Sequence, residues 1–176
     1  MAIGLGETAY DFQNLPATDG KNYSLESFRS AKLLAVIFSC NHCPYVQAYE
    51  DRMIVLQREF APQGVQFVLV NSNDDTQYPE DSFPEMAKRA RLKGYNFPYL
   101  RDESQEVARA YGAERTPHIF LFDEKRKLRY SGRIDDNWQN PAAVKSHDLR
   151  NAIEALLTGV PPPANTPAIG CSIKWK

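Results

Sequence analysis

The stretch KLLAVIF, residues 32–38, constrains the fold more than any other part of this chain. After its lysine it is apolar at every position. It lacks the alternation of a strand with one wet face, so it fits a strand covered on both sides. A second run, VQFVLV (65–70), has the same character. Between them Val46, Tyr49, Met53, Leu56 and Phe60 recur at spacings of three and four, which puts an apolar stripe on one helical face. Pro44 suits the first turn of that helix, where its missing N–H leaves no bond unmade, and Pro62 and Gly64 close it. Strand, helix and strand together make a βαβ unit with a parallel strand pair.

The remaining elements fit around that unit. Residues 11–23 are split by the turn signal PATDG and read as a hairpin, and Ser24 starts a short helix ending at Phe28. Residues 71–81 read as a polar loop. Ser82 with Glu85 forms a capping-box pattern for a helix that runs to Lys93 and stops at Gly94. PYLRD (98–102) is a short strand. A short helix follows over 104–112, with Ser104 as its N-cap and Gly112 at its end. HIFLFD (118–123) and KLRYSGRI (127–134) form a second hairpin, and a last helix spans Ser146–Thr158. No linker or internal repeat divides the chain. The expectation is one domain over residues 1–159, followed by a tail, 160–176, too apolar at its end to stay undocked.

Composition excludes several function classes. Lys and Arg total 21 against 22 Asp and Glu, with no run of one sign, which argues against a nucleic-acid surface or a polybasic membrane patch. The longest apolar run, LLAVIF, is too short to span a bilayer. The N-terminal residues MAIGLGETAYDF lack a basic segment and an apolar core, so no secretory signal is read and a cytoplasmic location is expected. Only three cysteines are present, Cys40, Cys43 and Cys171, which is too few and too uneven for a secreted disulfide framework.

Cys40 and Cys43 stand in the motif Cys-Asn-His-Cys, where the first strand meets its helix. A sulfur at that junction faces unpaired helix N–H groups and the positive end of the helix dipole, which favour thiolate over thiol. On this reading Cys40 is the nucleophile. Cys43, one turn on, is the resolving thiol that attacks a mixed disulfide. His42 between them tunes the pair, by donating to the Cys40 sulfur or by carrying charge beside it. Two plainer readings stand alongside: half of a zinc site, or two buried thiols. Zinc calls for a second ligand pair of similar spacing, and Cys171 with three histidines does not supply one. No metal or other cofactor is assigned.

Thr116-Pro117 lies directly before the apolar run of 118–123, a place where proline can open a strand but not continue one. A strand, Cys-x-x-Cys, helix and strand, then Thr-Pro opening a hairpin, then a C-terminal helix, resembles the thioredoxin superfamily. LPATDGKNYSLESF (15–28) and YGAERTPHIFLFD (111–123) resemble its redoxin branch, which includes TlpA-like oxidoreductases and peroxiredoxins. The resemblance implies a three-layer α/β/α fold with a central mixed sheet, an N-terminal hairpin extension and an inserted helix before the proline strand. It implies that Pro117 is cis and packs against the cysteine pair, and that the Thr116 backbone pairs with an extended substrate. The partners implied are a disulfide-containing protein or small thiol substrate, and a thiol reductant for recycling.

Departures from the family pattern matter here. Ser39 stands where a Trp is common, and the strand before the pair carries no acid, so Cys43 lacks an evident base; Asp74, Asp75 or water are the candidates. A peroxiredoxin pattern, P-x-x-x-T-x-x-C, would need Thr and Pro at positions held by Ile37 and Leu33 counting from Cys40. Counting from Cys43, those positions hold Cys40 and Val36, so neither register fits a peroxidase. Two alternatives remain: a binding module whose cysteines never cycle, and a thiol-dependent peroxidase, for which the missing pattern argues against efficient peroxide reduction. His118 fits a hydrogen-bonded histidine at a strand start better than a copper ligand. Cys171 lies thirteen positions beyond Thr158, which an extended chain could stretch to about 43 Å. It is therefore either an inert thiol or a third redox thiol.

Overall fold

The two apolar runs lie side by side at the centre of the molecule. The structure, a computed structural model, describes residues 2–176, so Met1 of the expected domain lies outside the described residues. In chain order the strands and helices are β1 (Leu15–Pro16), β2 (Asn22–Tyr23), β3 (Leu33–Phe38), α1 (Pro44–Phe60), β4 (Val65–Asn71), α2 (Phe83–Lys93), β5 (Tyr99–Arg101), α3 (Glu106–Tyr111), β6 (Arg115–Thr116), β7 (His118–Phe122), β8 (Leu128–Gly132), α4 (Asp148–Thr158) and β9 (Cys171–Ser172). β1 and β2 form the N-terminal hairpin. The main sheet runs β5-β4-β3-β7-β8, with β3, β4 and β5 parallel and β7 and β8 antiparallel to their neighbours. This is the mixed sheet of a thioredoxin-like fold. Among the described residues no helix is long and apolar enough to cross a membrane.

The unbroken hydrophobicity of β3 now has its cause. Leu33, Ala35 and Ile37 enter one core, with Tyr49, Met53 and Phe60 of α1 and Leu149 and Ile153 of α4. Leu34, Val36 and Phe38 enter the opposite core, with Val107 and Tyr111 of α3 and Phe12 near the N-terminus. A strand that feeds two cores has no position left for a polar side chain. Burying a Val, Leu, Ile or Phe contributes about 1.5–3 kcal/mol each, so a charge anywhere in 33–38 would be severely destabilising.

Two local expectations need correction. Ser104 is not the N-cap residue of α3, although its Oγ accepts the Glu106 N–H at 3.2 Å. Gln105 occupies the N-cap position, and the buried Asp102 carboxylate accepts the Val107 and Ala108 N–H groups at 3.3 and 3.0 Å. An aspartate two residues earlier takes these two because Ser72 Oγ holds its second oxygen in place, at 2.6 Å. The polar stretch 71–81 begins with Asn71, the last residue of β4, and continues as a loop solvated only in part: Asn71, Ser72, Asn73, Asp74 and Asp81 are buried, whereas Thr76, Gln77, Pro79 and Glu80 are exposed. Its side chains hydrogen-bond one another and the backbone of neighbouring segments, which makes burial tolerable. Ser82 does cap α2, accepting the Glu85 N–H at 3.4 Å. α4 starts two residues later than expected, at Asp148.

The tail beyond α4 crosses the outer edge of β8, where Thr166 N–H donates to the Ser131 carbonyl at 3.1 Å. It ends as β9, antiparallel to β6, with Cys171 opposite Thr116.

Candidate active site

The end of β3, the start of α1 and the turn at Thr116–Pro117 converge on one point. The peptide bond before Pro117 is cis. Thr116 Oγ1 lies 3.6 Å from Cys40 Sγ, and the Thr116 carbonyl lies 3.5 Å from Cys43 Sγ. Cys40 and Cys43 are both free thiols, 1% and 0% exposed. Val46 completes the small cluster around them, with Tyr45 and Cys171 packed against it. Tyr45 in turn stacks on Trp138, ring centroids 4.1 Å apart. The structure thus brings together Cys40, Cys43, Thr116 and Pro117, and adds a third sulfur from the tail.

The helix terminus serves a different sulfur from the one expected. Cys43 is itself the N-cap residue of α1, so its sulfur lies at the helix terminus although it makes no side-chain cap hydrogen bond. The Tyr45 N–H lies beside the sulfur of Cys171. Cys40, four residues before the first helical turn, faces Thr116 and Cys43 instead. Cys43 is therefore the middle sulfur of a row, with Cys40 on one side and Cys171 on the other.

This row decides where charge sits in the reduced protein. The Cys40 thiol donates to Cys43, and Cys171 and the Val46 N–H add to it. Together they outweigh the desolvation that opposes ionisation and hold Cys43 down at about 4. As a thiol Cys43 has only the Thr116 carbonyl to donate to. Cys40 is pushed well up, first by its hydrogen bond to that thiolate, then by burial, with the charge of Asp81 adding to both. Burial first, and then Cys43, raise Cys171 to about 11. One thiolate shared by three sulfurs belongs to the row rather than to any one residue.

Asp81 is the acid that sequence reasoning missed. It is fully buried and accepts the Asn41 N–H at 2.8 Å and Asn73 Nδ2 at 2.9 Å. His42 Nδ1 sits 2.6 Å from Asp81 Oδ2, without the alignment of a hydrogen bond. His42 also stacks on Tyr78. Its partner is thus the Asp81 carboxylate rather than the Cys40 sulfur alone. Donor atoms of Cys40, His42 and Asp81 lie within 4.8 Å of one another, an S, N, O set that could hold a divalent ion. The acids expected to serve Cys43 are engaged elsewhere: Asp74 binds Thr76, and Asp75 faces Arg101. An open cleft of about 690 Å³ begins at Asn41 and His42 and runs past Glu80 and Arg89, and neither cysteine lines it.

His118 is not part of the sulfur cluster's hydrogen bonding. Its Nδ1 accepts the Glu114 N–H at 3.2 Å, Nε2 lies 3.4 Å from Ser131 Oγ, and burial pushes it down to about 4. A neutral ring with both nitrogens engaged is a structural histidine.

Comparisons with known proteins agree with this geometry. The family profile described as Redoxin matches residues 5–153. A solved structure of an uncharacterized conserved protein from Geobacillus kaustophilus is 45% identical, with a TM-score of 0.93 over 99% of this chain and 93% of that one. A hypothetical protein from Sinorhizobium meliloti 1021 is 39% identical, with a TM-score of 0.92 over 100% and 97% of the two chains. The thiol-disulfide oxidoreductase ResA of Geobacillus thermodenitrificans is 26% identical over 130 residues, 73% of this chain and 68% of that protein.

Proposed function

Because the chain belongs to the Redoxin family, we propose that it is a thiol–disulfide oxidoreductase whose Cys40–Cys43 pair cycles between dithiol and disulfide. The single observation that carries this reading is the buried pair of free thiols, Cys40 and Cys43, where β3 meets α1, with Thr116 against both sulfurs. A buried thiolate is costly unless its neighbours are arranged to stabilise it, and two adjacent thiols are the product-forming partners of disulfide exchange. The resemblance to ResA points the same way.

Cys40 is the sulfur that meets substrate. Cys40 precedes the helix and lies against Thr116 Oγ1, whereas Cys43, the N-cap residue of α1, packs with both Cys40 and Cys171 and is placed to resolve. In the first step Cys40 attacks a substrate disulfide and its proton passes to Cys43. A bond forms between Cys40 and one substrate sulfur, and the other leaves as a thiolate protonated by solvent. In the second step Cys43 attacks Cys40, the second substrate thiol departs with the Cys43 proton, and the Cys40–Cys43 disulfide remains. The sum is one substrate disulfide reduced to two thiols and one protein dithiol oxidised. A protein or small-molecule disulfide serves as oxidant, and a thiol reductant restores the pair.

The test is reduction of a model disulfide with dithiothreitol as the recycling reductant. Cys40→Ser is expected to bring turnover down to the uncatalysed rate. Cys43→Ser is expected to accumulate a mixed disulfide on Cys40, visible as the added mass of one substrate thiol. Full turnover by Cys40→Ser would overturn the assignment.

A further inference from the structure

The tail delivers Cys171 to the one place where a third sulfur can reach the pair, and the two-cysteine cycle above makes no use of it. The delivery is built in detail. Gly170 packs so closely on the Thr116 carbonyl that a Cβ there would stand 2.0 Å from the oxygen. Ile173 is buried in the core with Val107 and Tyr111, and its N–H donates to the Glu114 carbonyl at 3.1 Å. Lys174 donates its N–H to Asn73 Oδ1 at 2.9 Å, and its carbonyl accepts from the Asp74 N–H and from Gln105 Nε2. Asn73 also holds Asp81, so the tail is tied to the polar network beneath the cysteines.

We propose that Cys171 is the third redox thiol of this centre, and that the disulfide first formed between Cys40 and Cys43 moves to Cys43 and Cys171. The inference rests on the two-cysteine reading above. In the exchange the Cys171 sulfur attacks Cys43, the Cys43–Cys171 bond forms as the Cys40–Cys43 bond breaks, and the Cys171 proton ends on the Cys40 sulfur. No further oxidant is consumed, since the oxidising equivalents came from the substrate disulfide.

Three features favour this movement. Cys43 is the middle sulfur, so it can pair with either neighbour while Cys40 and Cys171 do not pair with each other. Cys43 is the N-cap residue of α1 and Cys171 packs against the same cluster, so the positive end of the helix lies beside both sulfurs as their bond forms or breaks. Cys171 is also the partly exposed member, whereas Cys40 and Cys43 are buried. An external thiol can therefore attack Cys171 and expel Cys43, whose thiolate is the best leaving group of the three. The tail gives the reductant a second, more exposed sulfur to attack than the one that meets substrate.

The test is disulfide mapping of the full chain and its variants in graded mixtures of reduced and oxidised glutathione. Cys40→Ser is expected to form a Cys43–Cys171 disulfide and leave no free thiol. Cys171→Ser is expected to form Cys40–Cys43, and Cys43→Ser to form no internal disulfide. Two free thiols in Cys40→Ser, at potentials that oxidise Cys171→Ser, would overturn the inference and leave the two-cysteine reading standing. Failure of Cys171→Ser to form Cys40–Cys43 would instead count against that reading. The unsubstituted protein guards against a misfolded variant: Cys171 free at every degree of oxidation would overturn the inference by itself.

Discussion

Two segments bring sulfur to the same point, residues 40–43 and residues 170–174, and they do so by opposite means. The first is local. The last residue of a buried strand and the first residue of a helix, Phe38 and Pro44, are six positions apart, so the place of Cys40 and Cys43 follows from the βαβ unit itself. The second is entirely tertiary. β9 is two residues long and is held by Thr116, Glu114, Asn73, Asp74 and Gln105, none of them near it in the chain. A sulfur placed by secondary structure stays put while the domain is folded. A sulfur placed by docking can be released by local opening at a fraction of the global stability. The difference assigns the fixed pair to chemistry and the docked sulfur to exchange with the outside.

The sulfur shared by both segments should have the largest effect. The reduced protein is expected to carry a thiolate at neutral pH, seen as ultraviolet thiolate absorbance that titrates away as the pH falls towards about 4, and Cys43→Ser is expected to abolish it. Stability follows the same proton. The unfolded chain keeps Cys43 protonated up to its ordinary value of 9.0, so unfolding takes up a proton between there and about 4. Stability from this group is complete above the unfolded value and is lost as the pH falls. His118, held down to about 4, acts in the same direction only below its ordinary 6.5, which leaves the range from 6.5 to 9.0 to Cys43. Over that range the urea-unfolding free energy of the reduced protein is expected to rise by up to about 1.4 kcal/mol per pH unit, and Cys43→Ser to flatten the rise. No thiolate absorbance at neutral pH would break the description of the row.

Gly170→Ala should break the docked segment and spare the local one. A methyl group 2.0 Å from a backbone oxygen cannot be accommodated by a side-chain adjustment, so β9 must move away from Thr116. A strain of about 1–3 kcal/mol converts to roughly a 5- to 150-fold increase in tail opening. Alkylation of Cys40 and Cys43 under native conditions, read by mass, is expected to accelerate by that factor. Unchanged labelling would mean that the tail does not control access to the pair.

The same contrast explains what was readable in the sequence. β3, α1 and β4 declared themselves because burial on two faces or on one stripe leaves a periodic signature, and Cys-x-x-Cys could be placed because it abuts them. The hairpin β7–β8 was marked by Thr116-Pro117 and two apolar runs. Asp81 could not be found this way. It stands 38 positions after Cys43, inside a polar stretch that looks like a solvated loop, and its burial depends on Asn41, Asn71 and Asn73 folding over it. The Asp102 cap was hidden for a related reason: the serine in a plausible cap position takes only the Glu106 N–H, and an acid oriented by Ser72 takes the next two. Cys171 was visible as a residue, but its place depends on a close approach at Gly170 that no periodicity records.

Asp81→Asn should produce the smallest change, and it probes where the two segments are joined. The carboxylate contributes to the raised ionisation of Cys40, after the Cys43 hydrogen bond and burial. Asparagine keeps an acceptor for the Asn41 N–H and removes the charge. The Cys40 ionisation is therefore expected to move down, and its alkylation near neutral pH to rise roughly two- to five-fold, read as the pH midpoint of Cys40 labelling in a Cys171→Ser background. The same substitution weakens the acceptor for Asn73, which carries the Lys174 N–H on its other side, so the labelling is compared with Gly170→Ala to separate charge from loosening of the tail. Charge alone shifts the midpoint of Cys40 and leaves its limiting rate at high pH unchanged, whereas loosening raises the limiting rate and leaves the midpoint in place. A midpoint that does not move would show that His42, in contact with the same carboxylate, already cancels its charge at the sulfur. The tuning of Cys40 would then belong to the His42–Asp81 pair rather than to the acid alone.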